Sequence, residues 1–287
     1  MGKSQDKIKP KSSGKGMTLL IVTIAVIILL IVFIFFGTTI GDWVRGAKSA
    51  ASDEPASTAD SSYSLPAEST GESSGAVEPT ENGYPENETQ LSPSYQLDAP
   101  KKGDTVAVVT TSEGVMRFKL LADTAPKAVE NFTAKAKAGY YNNTKFETLY
   151  EDQAVQSGGD NNTVFGTDFP VEYSVNLHNY YGALGLSNDG TNNTNQFYIV
   201  SAKKVADDIL AAMSGEKAQA TGFGFTPEVI NAYATHGGDP TLDGSFGVFG
   251  QLYEGYDVLD AINAVGAAEG GAPAREIKII SVEIGTY

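Results

Sequence analysis

Two histidines, His178 and His236, and no cysteine are all that the chain offers for imidazole or thiolate chemistry. Triad hydrolysis needs a nucleophile, a base and an orienting carboxylate. Neither histidine has a serine-and-carboxylate arrangement around it, and both read as surface or loop residues. Asp160 and Asp189 lie in Asn- and Gly-rich stretches that could suggest calcium. Their spacing lacks the full calcium-loop pattern, and turn chemistry, in which Asn, Asp and Gly tolerate left-handed backbone, explains them better. The absence of cysteine excludes disulfides and thiolate zinc sites, and two histidines leave few candidates for imidazole ligation; no metal and no cofactor is expected. A formal charge of -15 argues against nucleic acid as a partner, because phosphate neutralisation needs clustered cations.

Around these residues the 287-residue chain divides into three zones. The first, 17–36, is an uncharged apolar run, MTLLIVTIAVIILLIVFIFF. As a helix it spans roughly 30 Å, the thickness of a bilayer's hydrocarbon core. Lys3, Lys7, Lys9, Lys11 and Lys15 precede it, and only Arg45 and Lys48 follow closely. That bias places the tail 1–16 in the cytoplasm, a single membrane span at 17–40, and the rest outside. A cleaved signal peptide is the competing reading; its apolar region is normally about 7–15 residues, shorter than this run. The second zone, 41–100, is rich in Ser, Pro and Glu, with ten acidic residues from Asp53 to Asp98 and no Lys or Arg from Ala51 to Pro100. Mutual repulsion and scarce apolar side chains predict a disordered linker.

The third zone, 101–287, carries the folding pattern. Strands are predicted near 105–111 and 115–121 around the turn Ser112-Glu113-Gly114. A helix opens at Pro126, with Val129, Phe132 and Ala136 on one face and Gly139 as its stop. Further β-like runs follow at TKFETLY, DQAVQS, GALGLS, NQFYIVSA and FGVFGQLY; then come a helix at YDVLDAINAV and a last strand at EIKIISVEI. Many strands with two helices suggest a closed β-barrel, which leaves no edge unpaired. Within 203–240, KKVADDILAAM and TPEVINAYATHGG have helical spacing, with Thr226-Pro227-Glu228 as a start and Gly237-Gly238 as a stop. This insertion could cover a cleft, bind a partner or pad a loop.

The order of TSEGVMRFKLLADTAPKAVENF, AGYYNNTKF, QSGGD, YGALGLSND, NQFYIV and LDGSFGVFGQLYEGYDVLDAI resembles the cyclophilin family of peptidyl-prolyl isomerases, over essentially all of 103–287. The resemblance implies a mainly β fold, an eight-stranded antiparallel barrel capped by two helices. It also implies rotation about X-Pro amides, proline-containing polypeptides as partners, and a monomer. The family's arginine, two residues after a phenylalanine, falls on Thr148, and its neighbouring histidine on Glu147. Gln153 and Ala154 stand where Phe and Met are usual, Phe246 where a pocket histidine is, and Thr241 where some members carry tryptophan. Gln156, Asn188, Gln196, Tyr198 and Leu242 fit the peptide-gripping positions, with Tyr198 replacing a phenylalanine. Gln156 and Gln196 could equally be amides satisfying the backbone, and Phe246 could be core. Phe197, Val248 and Phe249 read as barrel core. Together with the apolar run 17–36 and its charge bias, the resemblance points to a membrane-anchored, extracytoplasmic isomerase whose catalytic cation is missing, or to a proline-peptide binding module on the same fold.

Overall fold

The computed structural model describes residues 84–85, 88–157, 169–190 and 192–287. The apolar run 17–36 and the glycines and Asp160 of QSGGD lie outside them. No helix among the described residues is long and apolar enough to cross a membrane.

Eight strands close into an antiparallel barrel. In chain order they are β1 (Thr105–Thr111), β2 (Gly114–Leu120), β3 (Thr144–Tyr150), β4 (Ala154–Ser157), β5 (Ala183–Asn188), β6 (Asn193–Val200), β7 (Val248–Glu254) and β8 (Lys278–Thr286). Around the wall the order is β1-β2-β7-β5-β6-β4-β3-β8. The β1–β2 hairpin turns where expected, with Thr111 facing Gly114. The Thr111 hydroxyl accepts from the amides of Glu113 and Gly114, which satisfies the turn locally.

Helix α2 (Pro126–Lys137) buries Val129, Phe132 and Ala136, the expected face. The Phe132 ring meets Tyr141, Phe197 and Phe249 at centroid distances of 5.3, 5.7 and 5.1 Å. These aromatic contacts fill the barrel core, together with buried Val248, Met116 and Phe118. The second capping helix, α6 (Tyr256–Asn263), buries Leu259 and Ile262.

The insertion forms α3 (Asp207–Met213), α4 (Glu216–Gln219) and α5 (Pro227–His236). Thr226 caps α5 by accepting from the Val229 amide, and Gly237 ends it at φ 80°. These helices build their own small core, in which Met213, Phe225, Val229 and Tyr233 pack with Tyr180.

Two expectations are corrected. The stretch before residue 101 is not all linker: it packs from Tyr84 onward in its described part, and short helix α1 (Ser94–Leu97) belongs to the barrel domain. Tyr84 stacks on both Tyr173 and Phe223 at 5.2 Å. Glu88 accepts from Ser174 Oγ, the Val175 amide and Asn176 Nδ2. Gln96 is fully buried, exchanging two hydrogen bonds with the His178 backbone. Repulsion among carboxylates loses here because Glu88 meets three donors and the tyrosines supply apolar surface. His178, read as a surface or loop residue, does lie in a loop but is buried there at 2% exposure, whereas His236 is exposed.

Candidate active site

Cross-strand register assembles the site. Thr148 of β3 faces Gln156 of β4, and Tyr150 faces Ala154. Gln156 in turn faces Tyr198 of β6, which faces Gly185 of β5. Directly opposed side chains share a sheet face, so one row runs Thr148, Gln156, Tyr198, Gly185 across four strands. The glycine is required: a Cβ at position 185 would collide with the Tyr198 ring.

Beside this row lies a cavity of about 200 Å³. Gln153, Ala154, Gln156 and Tyr150 form one side, while Ser187, Tyr198, Leu242 and Phe246 form the other. Leu242 and Phe246 arrive on the short 3-10 turn Pro240–Leu242 and the loop after it, where the Phe246 amide donates to the Leu242 carbonyl. The Phe246 ring meets Tyr198 edge-on at 5.6 Å. Both aromatics wall the cavity and leave it open. Residues 203–236 contribute nothing to its described lining; their small core forms around Tyr180, Phe225 and Tyr233.

The structure thus brings Gln156, Tyr198, Leu242 and Phe246 into one pocket. Asn188 and Gln196 support its walls: Asn188 Nδ2 donates to the Ser245 carbonyl next to Phe246, and Gln196 Oε1 accepts from Gln156 Nε2 at 2.7 Å. Thr148 is half-buried and not among the residues that line the cavity. Asp189 and Asn188 receive the amides of Asn192 and Gly190, the turn chemistry expected of that stretch.

A polar network behind the pocket was not read from the sequence. The Tyr198 hydroxyl donates to Asn179 Oδ1, and the Asn179 amide and Nδ2 donate to Asp243 Oδ1. Asp243 Oδ2 receives Tyr233 of α5 at 2.8 Å and lies 2.9 Å from His178 Nδ1. His178 Nε2 lies 3.0 Å from the Val175 carbonyl. Burial first, then the charge of Asp243, pushes the Tyr198 and Tyr233 phenols well above their ordinary range. Both therefore keep their protons as donors. The pocket wall is tied to the insertion through this network, and to α1 through the His178 backbone. Because its members are far apart in sequence, spacing gave no signal for it. Tyr150 did carry one: it is two residues beyond Thr148 on the same strand, hence on the same face.

A closed antiparallel barrel with a small, aromatic-walled pocket is the class that these features define. Residues 105–284 match the family described as cyclophilin type peptidyl-prolyl cis-trans isomerase/CLD. An inferred peptidyl-prolyl cis-trans isomerase of Staphylococcus saprophyticus is 38% identical over 197 residues, covering 66% of this chain and 96% of that protein. A likewise inferred isomerase of Staphylococcus aureus is 35% identical over 191 residues, covering 64% and 93%. A crystal structure of a Cryptosporidium parvum cyclophilin type peptidyl-prolyl cis-trans isomerase aligns at a TM-score of 0.49 with 22% identity, covering 64% of this chain and 99% of that one. The chain belongs to the cyclophilin-type peptidyl-prolyl cis-trans isomerase family, and that membership supports an isomerase activity.

Proposed function

We propose that the chain is a membrane-anchored, extracytoplasmic prolyl isomerase acting on proline-containing segments of exported polypeptides. The carrying observation is the 200 Å³ pocket walled by Tyr198, Leu242 and Phe246. It is smaller than the usual few hundred Å³ of a cofactor-sized site, and its aromatic walls suit a pyrrolidine ring. Rotation about the prolyl amide faces a barrier of roughly 18–20 kcal/mol because it breaks resonance. A site lowers that barrier only by binding the twisted amide more tightly than either planar form. Here an apolar pocket fixes the ring while amide groups such as Gln156 meet the flanking backbone. The lysine-rich tail and the apolar run 17–36 support the anchored topology.

The test is a protease-coupled proline-peptide assay on the full chain in detergent. Acceleration over buffer supports the reading, and buffer rates across several X-Pro peptides remove the catalytic part. Protease accessibility of the barrel on intact cells tests the topology; a protected barrel overturns the outward orientation.

A second reading, a binding module without turnover, is favoured by Thr148, which supplies no cation at the arginine position. NMR titration with proline peptides separates the two: shifts at Gln156, Asn188 and Gln196 without faster exchange mean binding alone. Thr148→Arg then raises kcat/KM on the order of tenfold, the scale of one charge-assisted hydrogen bond. An inert variant means that the missing cation is not the sole defect.

A further inference from the structure

We propose that Tyr150 is a substrate-contacting residue whose hydroxyl takes over, at the prolyl amide, the donor role left open at Thr148; this rests on the isomerase-cleft reading above. Tyr150 and Thr148 share one face of β3 because they are two residues apart, and their partners Ala154 and Gln156 share the facing side of β4. Of the two, only Tyr150 lines the cavity. Its cross-strand partner is Ala154, whose short side chain leaves room for a ring above it.

Tyr150 is also 47% exposed, among the most exposed large apolar side chains described. Its hydroxyl has no hydrogen-bond partner among the described residues, whereas the other phenol of the pocket, Tyr198, already gives its one proton to Asn179. Gln153 Nε2 gives one N–H to Asp239 at 2.6 Å and Gln156 Nε2 one to Gln196, which fixes both amides and leaves each a second N–H for the flanking peptide backbone. Ser187, also on the wall, has a hydroxyl without a partner among the described residues, on a shorter side chain 7% exposed.

The chemistry makes and breaks no covalent bond. As the amide twists, its nitrogen lone pair leaves conjugation and becomes a hydrogen-bond acceptor. A phenol O–H aimed there binds the twisted form better than the planar ones and keeps its proton throughout. Being neutral, it stabilises less than a guanidinium would, so a slower isomerase than one with the arginine is expected.

The experiment compares the full chain with Tyr150→Phe, Tyr150→Ala and Ser187→Ala in detergent, using the protease-coupled assay and calorimetric binding of a proline peptide. Tyr253→Phe, on β7 beside Tyr287, is the control. Tyr150→Phe keeps the ring and loses the donor, so kcat/KM falls roughly tenfold with KM nearly unchanged. Tyr150→Ala also raises KM, because a wall of the pocket is lost. Tyr150→Phe at the full rate overturns the proposal, and a loss confined to Ser187→Ala hands the role to that hydroxyl. If the intact chain binds peptide without turnover, affinity carries the readout: severalfold weaker binding by Tyr150→Phe supports the contact, and equal binding overturns it. An intact chain that neither binds nor turns over removes the cleft reading and this inference together.

Discussion

His178 Nδ1 lies 2.9 Å from Asp243 Oδ2, and both side chains are sealed from solvent. Residue 243 follows Leu242 of the pocket wall, and His178 is held by the α1 glutamine, so one contact joins the pocket to the segment before the barrel. Asp243→Ala strands the donors of His178, Asn179 and Tyr233 in a buried space. A loss of about 3 kcal/mol is expected in urea unfolding, the scale for breaking a buried paired group. Asp243→Asn loses less. A loss below 1 kcal/mol for the alanine variant would show that the network carries little.

Gly185→Ala forces the Tyr198 ring away from β5. Displacing this ring alters the cavity that it walls and strains its bond to Asn179. Peptide affinity is expected to fall at least tenfold, with a stability loss of roughly 1–3 kcal/mol from overpacking. Unchanged affinity would place the bound ring elsewhere.

The packing of the described residues Tyr84 and 88–100 makes the domain boundary a measurable quantity. A fragment beginning at residue 101 loses Gln96, Glu88 and the Tyr84 stack, and leaves Lys119 Nζ without the Tyr95 and Asp98 carbonyls. It is expected to unfold at lower urea than a fragment beginning at residue 72. Gln96→Ala alone costs roughly 1–3 kcal/mol, since it strands buried groups of His178 and Gln251. Equal midpoints for the two fragments would show the stretch to be dispensable.

Lys135 on α2 is 1% exposed and bonded to Asn131, and burial lowers its amine from 10.5 to about 8. Between those values the unfolded chain binds the proton and the folded one does not, so stability rises with pH across about 8 to 10. Lys135→Leu should remove that slope and raise stability at pH 7, because no buried amine is then charged. Parallel pH profiles of Cm for the two proteins would contradict this assignment.

Sequence alone settled what local pattern and covalent order can carry. The β1–β2 turn, the buried face of α2, the caps of α5 and the closing helix α6 all follow from residue periodicity and from Pro, Gly and Thr at fixed places. Motif order was enough to indicate the barrel and to mark Gln156, Tyr198, Leu242 and Phe246, since each sits in a stretch whose neighbours are also characteristic. Tertiary structure decided what depends on partners distant in the chain. It buried His178 against a residue 65 positions away, and it turned the end of an acidic stretch into part of the domain by offering Glu88 three donors. On strand β3 it put Tyr150, rather than Thr148, at the pocket. Composition counts charges and periodicity assigns faces, but whether a polar group is satisfied, or a ring has room, is set by atoms that only folding brings together.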